Sequence, residues 1–351
     1  GQASALHRIH SLPDIFWGRR LKSMASMLAI LLFLANFHPV QSRGSFRSHA
    51  HGKAVSDKAD LVVFYNVYQA NPTLAARIVA DQLQYLNSVG APVAEVAMTK
   101  IGGSKDTIYP CAKCHKVVYH KIGGEELTLQ ALHAHCRANK SQLVAYIHDK
   151  GSYHPSESNE ALRRFLMQGA FSHPCLSMRG KCSVCSARFS PLPHPHTPGN
   201  MWLADCDYIR LLRPPAGFMR DMEDVKTSWT KLGRSIPFGS GGAFNGFGRY
   251  ALEHWVHSHP TVVPCDVYDG DYFWSYDGIP IGDWTPKLVV GPRFPLTRYR
   301  KGQLKDRAEE LWQWRLYEWK TLYHMTPPTN SWLQRVFTAP QVEERLHISK
   351  G

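Results

Sequence analysis

The run Asp60-Leu61-Val62-Val63-Phe64-Tyr65-Asn66-Val67-Tyr68 constrains the fold more than any other part of the chain. A continuous apolar stretch of this length is a strand buried on both faces, and such strands belong to parallel sheets covered by helices on each side. Asn71-Pro72 then opens a helix, proline being tolerated in the first turn, and the helix runs to about Val89. Gly90 ends it, and Pro92 to Thr99 supplies a second strand. Strand, helix, strand is the opening of an α/β sheet with a right-handed crossover. Gly102-Gly103 closes the unit. No Gly-x-Gly-x-x-Gly joins the first strand to its helix, so the dinucleotide fingerprint is missing.

The same alternation continues downstream. Thr128 to Ala138 reads as a helix with Glu125-Glu126 near its start, and Leu143 to His148 as a third strand with Asp149-Lys150-Gly151-Ser152 at its carboxyl end. Ser158 to Gly169 is a helix carrying Arg163-Arg164 on one side. The stretch Pro193 to Pro215 comes next. It sets His194 and His196 between prolines, turns at Gly199-Asn200, and forms a short buried strand, Met201 to Ala204. Asp205 caps a helix, Cys206 to Leu212, that Pro214 stops. Histidine, amide, indole and two carboxylates thus meet at one loop–strand–helix junction, a place where α/β sheets hold ligands. A helix over Met219 to Leu232 leads to the Gly-rich loop Gly239 to Gly248, a lid or connection that lacks the Lys-Ser/Thr of a P-loop. Tyr250 to His257 is helical, and Tyr268 to Trp284 mixes aromatics with acids. Gln303 to His324 is a long amphipathic helix whose Trp312, Trp314 and Trp319 dock on the core.

The chain divides on composition. Arg19-Arg20-Leu21-Lys22 precedes an apolar run, Met24 to Phe37, short for a membrane span and suited to a signal peptide or a short signal anchor. Residues 1–42 therefore read as that segment, 43–59 as a polar disordered stem, 60–340 as one α/β domain and 341–351 as a tail. This directs the protein into the secretory pathway, to the Golgi or ER lumen as an anchored type II protein, or to secretion. A net charge of +13 would suit nucleic acid, but no zinc-finger spacing, RNP motif or long Lys/Arg run supports that partner. A basic secretory enzyme with an anionic donor or a membrane neighbour fits the charge equally.

The eight cysteines, an even number in a secretory chain, favour disulfides. The two Cys-x-x-Cys pairs, Cys111/Cys114 and Cys182/Cys185, offer structural zinc as the alternative, with His115 and His120 beside the first. Asn139-Lys140-Ser141 is an N-glycosylation sequon. Asp205-Cys206-Asp207 is a literal Asp-x-Asp, readable as a metal pair or as a helix cap with a salt bridge. Glu253 stands one helical turn from Arg249, where an ion pair is the structural reading.

Three segments carry a resemblance. His196-Thr197-Pro198-Gly199-Asn200-Met201-Trp202-Leu203-Ala204, followed by Asp207-Tyr208-Ile209, resembles the H-x-x-G-N-x-W-W-A-x-x-D-Y-I segment of a poorly characterised group of glycosyltransferase-like proteins. Tyr146-Ile147-His148-Asp149-Lys150-Gly151 is similar to that group's Y-x-H-x-K-G element, and Arg249 to Val256 to its R-x-x-x-E-x-W-I segment. Leu203 departs from the pattern, the second Trp of the pair being usual there. Order and spacing agree over about residues 60–264.

The resemblance implies a GT-A-like, Rossmann-related mixed sheet flanked by helices. It implies transfer of a hexosyl or deoxyhexosyl unit from a nucleotide sugar to a glycan or glycoprotein. Glycosyl transfer needs the leaving diphosphate neutralised, a base for the acceptor hydroxyl and a platform for the sugars. On this reading Tyr65, Asn66, His148, Asp149, Lys150 and Gly151 face the donor and its diphosphate. His194, Gly199, Asn200 and Trp202 face the acceptor, and His196, Glu253 and Asp207 are the candidate acids and bases. Mn2+ or Mg2+ is the metal such a reaction would use, on the Asp205/Asp207 pair or on Asp149 alone, with Lys150 neutralising the phosphate directly as the metal-free option. Membrane contact is expected only through the N-terminal segment. The alternative is a glycan-binding protein without catalysis, or a disulfide- or zinc-stabilised interaction protein of the same fold.

Overall fold

The structure, a computed structural model, describes residues 61–190, 194–236, 246–268, 279–280, 284–290 and 301–328, with the side chains of the last helix described from residue 310. The expected signal segment, stem and tail lie outside the described residues, as do most of the Gly-rich loop and of the aromatic stretch after Tyr268.

The first strand is where the sequence places it. β1 (Leu61–Tyr68) is buried along its length except at Tyr68. Asn71 caps α1 (Pro72–Ser88), its side chain accepting from the Leu74 N–H, and β2 (Val93–Ile101) pairs in parallel with β1. A strand not anticipated from sequence follows: β3 (Lys116–His120), an exposed parallel edge strand on β2. Its apolar Val117 and Val118 face solvent, so it carries no burial pattern from which a strand is read. α2 (Glu125–Ala138) then crosses to β4 (Leu143–His148), which pairs with the other side of β1.

β1 is covered on both faces by different helices. Leu61, Val63, Tyr65 and Val67 pack with Ala75, Val79 and Leu83 of α1 and with Leu162, Phe165 and Leu166 of α3 (Glu157–Ala170). Val62 and Phe64 pack on the opposite face with Leu129 and Leu132 of α2. That second layer also takes in α6 (Pro215–Lys231), α7 (Ala251–Trp255) and α8 (Lys301–Tyr323), whose Trp312, Trp314 and Trp319 are buried as expected. Each such side chain contributes about 2 kcal/mol of apolar burial.

The remaining strands are short. β5 (Val184–Ser186), β6 (Trp202–Asp205), β7 (Pro264–Asp266) and β8 (Val289–Val290) complete a mixed sheet in the order β3-β2-β1-β4-β6-β5-β7-β8. β6 runs antiparallel to both of its neighbours, and β8 antiparallel to β7. The described residues form one mixed α/β domain within the compact unit Val55–Gly351. None of their helices is long and apolar enough to cross a membrane.

All eight cysteines are paired. Cys111–Cys114 closes a tight loop, and Cys136–Cys206 ties the end of α2 to α5 (Cys206–Ile209). Cys175, in α4 (His173–Leu176), bonds Cys185 of β5, and Cys182 bonds Cys265 of β7. Of the two sequence readings, disulfides are the one realised. Cys182 and Cys185 take different partners, so the two Cys-x-x-Cys motifs do not share a site. Four disulfides fit an oxidising, secretory or extracellular location.

Loop closure predicts unequal contributions from these bonds. Cys136–Cys206 and Cys182–Cys265 span 70 and 83 residues. Chain entropy assigns loops of that length about 4 kcal/mol each, and less to the short Cys111–Cys114 loop. Replacing either long-loop pair by serine is expected to lower the urea midpoint about twofold more than replacing Cys111 and Cys114.

Candidate functional site

The strand order dictates where a site can form. Going outward from the centre the chain runs β1, β2, β3 on one side and β4 onward on the other, so the reversal falls between β1 and β4. Loops leaving two neighbouring parallel strands in opposite directions cannot fill the space above them, and ligands bind in that crevice. A cleft of about 810 Å³ lies there. β1 contributes Asn66 and Tyr68, the start of α2 contributes Gly124, Glu125 and Glu126, and the end of β4 contributes His148 to His154. Pro198 and Gly199 close one wall, and Tyr250, Leu252 and Glu253 another.

Glu125 is held with one oxygen committed. Its Oε2 accepts from Asn200 Nδ2 at 2.7 Å and from the Tyr146 hydroxyl at 3.0 Å. Its Oε1 lies 3.8 Å from His148 Nδ1. His148 Nε2 donates to the Gly199 carbonyl at 2.8 Å, which leaves Nδ1 as the lone-pair nitrogen of the neutral ring. Burial pushes the His148 pKa down, with Glu125 opposing that shift. Tyr146 stacks on the His148 ring, and its own hydroxyl is pushed well above the ordinary range by burial and by Glu125.

This arrangement depends on the turn at Gly199-Asn200. Gly199 has φ +84°, and a Cβ built there would stand 2.7 Å from Leu166 Cδ1, so only glycine brings its carbonyl to His148. Asn200, also left-handed at φ 49°, accepts from the Trp202 indole N–H at 2.9 Å while donating to Glu125.

Asp149 sits on the cleft floor, 2% exposed. Its Oδ1 accepts from the Tyr68 N–H at 3.0 Å, and its buried Oδ2 has no hydrogen-bond partner of ordinary geometry. Burial raises its pKa to about 7, with the Tyr68 N–H and the nearby Ser152 hydroxyl tempering the rise. Lys150 lines the same wall, and its carbonyl is fixed by Arg163 Nη1 at 2.8 Å. Tyr153, 62% exposed, meets Tyr68 edge-on at 5.9 Å and His154 at 4.3 Å, so an aromatic rim borders the mouth on the Asp149 side.

Of the residues singled out from sequence, Asn66, His148, Asp149, Lys150, Gly151, Gly199 and Glu253 come together at this cleft. Asn200 stands just behind it through Glu125. Tyr65 points to the opposite face of the sheet, where its hydroxyl donates to Gln82 at 2.6 Å. Trp202 is wholly buried between Tyr146 and Trp255 and has no exposed ring face to offer a sugar. His194 and His196 belong to a separate interior cluster. His196 Nδ1 donates to the His194 carbonyl at 2.7 Å, and burial lowers the His196 pKa to about 4. Beside them His254 bridges the Pro195 carbonyl at 2.7 Å and Glu318 Oε1 at 2.6 Å. Burial works against the Glu318 charge, but Arg315 and His254 outweigh it and hold its carboxyl below the ordinary range.

The Asp-x-Asp is at the wrong end of the sheet for this cleft. Asp205 pairs with Leu143 at the start of antiparallel β4, five residues from His148, or about 16 Å along the strand. Asp205 Oδ1 caps α5 through the Asp207 N–H, and its other oxygen faces Arg179. Asp207 accepts from Ser141 and pairs with Arg210. Cap and salt bridge are therefore the roles the structure displays for this pair.

Sequence reasoning missed Glu125 as a site residue, as well as Tyr68, Tyr153 and Arg188. Glu125-Glu126 reads as helix-start chemistry, which it also is; the signal overlooked is the preceding Gly123-Gly124.

Fold and site together define a mixed α/β protein with a polar, aromatic-rimmed cleft at the reversal point of its sheet. The chain belongs to a family described as a domain of unknown function, DUF8361, whose model matches residues 64–336. No curated protein and no solved structure matches it.

The sign of the Asp149 shift makes a stability prediction. Its folded pKa is raised above the unfolded value of 3.8 to about 7, so its favourable contribution is complete below 3.8 and is lost as pH rises through 7. Asp149→Asn is expected to raise the unfolding temperature at pH 8 relative to the parent protein, to raise it by less at pH 5, and to change it little at about pH 3, measured by calorimetry at the three values.

Proposed function

We propose that this protein is a glycosyltransferase of the secretory pathway, moving a hexosyl or deoxyhexosyl unit from a nucleotide sugar to a glycan or glycoprotein. The fold in this reading is GT-A-like, supported by a parallel β3-β2-β1-β4 half with its cleft at the reversal point. The single observation that carries the proposal is the meeting at that cleft of His148 and Lys150, on the segment that resembles Y-x-H-x-K-G, with Glu125 from the start of α2.

The chemistry follows from the placement. The acceptor oxygen forms a bond to the anomeric carbon, and the bond from that carbon to the diphosphate breaks with its electron pair leaving on the diphosphate. Lys150 is the cation placed to receive that charge. Glu125 takes the acceptor proton: two donors hold Oε2, which orients Oε1 as the proton-accepting oxygen. Glu253, on the opposite wall, contacts the second sugar. Asp205 and Asp207 do not fit the implied Mn2+ or Mg2+, because cap and ion pairs occupy their oxygens, and no step is routed through a metal.

One observation favours a second reading, glycan binding without catalysis. Four carboxyl groups, those of Glu125, Glu126, Asp149 and Glu253, line the cleft with the basic side chains Lys150 and Arg188. A diphosphate entering there meets more negative than positive charge, whereas a neutral glycan does not.

Thermal stabilisation by uridine and guanosine diphosphates, with and without manganese, separates the two readings. A rise in melting temperature that is lost in Lys150→Ala is the expected result. Glu125→Gln is expected to keep that rise while losing about 10²- to 10⁴-fold in sugar transfer, because it removes a base and not a binding contact. Stabilisation by neutral oligosaccharides alone would establish the second reading.

A further inference from the structure

An unpaired carboxylate oxygen inside a protein is costly, and a native fold that keeps one exposes a demand for a donor. Asp149 is such a group. Its backbone is fixed at both neighbours, the Asp149 N–H donating to the Asn66 carbonyl at 3.2 Å and its own carbonyl accepting from the Ser152 N–H at 3.0 Å. One carboxyl oxygen is tied to the Tyr68 N–H; the other is buried with no hydrogen-bond partner of ordinary geometry, in a residue that lines the cleft and has the Ser152 hydroxyl beside its carboxyl. The carboxyl can neither turn away nor reach water freely.

We infer that Asp149 Oδ2 is the cleft's acceptor for a ring hydroxyl of the bound ligand, and that ligand binding therefore expels a proton. The inference rests on the sugar-handling reading above and names the contact that recognises the sugar. The surroundings match the chemistry of a sugar ring, which offers O–H donors at its edge and C–H groups on its face. Tyr68 and Tyr153 supply exposed aromatic surface at the mouth, and Asn66 and Asn159 add neutral polar groups. A ribose of a nucleotide and a pyranose of a glycan share this chemistry.

The proton accounting depends on what faces the carboxyl. Tyr65 from β1, Tyr109 from the segment after β2, Tyr146 from β4 and Glu125 from α2 all act on it, and Lys150 follows it in the chain. The three tyrosines, their pKa values raised by burial, are uncharged near neutrality, so Glu125 is the one anion among these neighbours. Burial and Glu125 together keep the free carboxyl half protonated at about pH 7. A hydroxyl donating to Oδ2 favours the ionised form, so the bound state sheds that proton. Affinity then falls as pH drops below 7, approaching tenfold per unit, and levels off above it.

Titration calorimetry on the disulfide-bonded domain tests this with two kinds of probe: uridine and guanosine diphosphates with their 2′- and 3′-deoxy forms, and the neutral sugars glucose, galactose, mannose and fucose. Each is run at pH 6, 7 and 8 in two buffers of different ionisation enthalpy, and against Asp149→Asn. The expected result is release of about half a proton at pH 7, roughly fivefold weaker binding at pH 6 than at pH 7, and loss of both effects with at least tenfold weaker binding in the variant. A nucleotide that shows this, with one deoxy form losing the same factor, identifies a ribose. A neutral sugar that shows it while nucleotides fail identifies a glycan, and the donor-dependent transferase reading falls while the contact stands.

Binding with a flat pH profile, undiminished in Asp149→Asn, overturns the inference and leaves the transferase reading intact. Manganese binding alone that is lost in Asp149→Asn overturns it in favour of a metal ligand. No binding by any probe overturns both. The pH profile of the parent protein needs no variant, so the inference remains falsifiable if the substitution disturbs the fold.

Discussion

Burial of β1 on both faces is the constraint on which the rest of this structure depends. A strand with no wet face must have helices above and below it, and α1 with α3 on one side and α2 on the other meet that demand. Helices on both faces require crossovers in opposite directions, and opposite crossovers leave a gap above the strand ends. The cleft is thus a by-product of the way β1 is buried. Its polar character comes from where the strands stop being apolar: Asn66 in β1, and His148 and Asp149 at the end of β4.

The turn at Gly199-Asn200 converts that gap into an ordered site. Gly199 gives its carbonyl to His148, and Asn200 joins the Trp202 indole to Glu125. The indole, although buried and remote from any ligand, therefore orients a carboxylate in the cleft through one amide. Hydrogen-bond chains of this kind confer specificity because every member is satisfied. Asp149 Oδ2, in the same wall, has no hydrogen-bond partner of ordinary geometry and stands out against that background.

Much of the architecture was legible in the chain. The strand–helix–strand opening, the Asn71 cap, the helix ended by Gly90, the Asp205 cap and the tryptophan-rich last helix all follow from local pattern and lie close to their expected places. β3 was not legible because it is an exposed edge, and β5, β7 and β8 were not because two or three residues hold too little pattern. Their positions are set by disulfides and by neighbouring strands. The site was legible only in part. His148, Asp149, Lys150 and Gly199 stand near one another because each lies at a strand end or a turn. His194, His196, Trp202 and Asp207, adjacent to Gly199 in sequence, face elsewhere.

Sequence alone determined that β1 would be buried on both faces and that the sheet would begin in parallel, and it favoured disulfides over zinc, since these depend on hydrophobic run length, capping chemistry and cysteine parity. Only the tertiary structure decided which cysteine joins which, that the Asp-x-Asp faces away from the cleft, and that Glu125 faces into it. Those outcomes depend on strand direction. β6 runs antiparallel to β4, so residues that follow the Gly199 turn in the chain are carried to the far end of the sheet, and no local pattern in the sequence records that reversal.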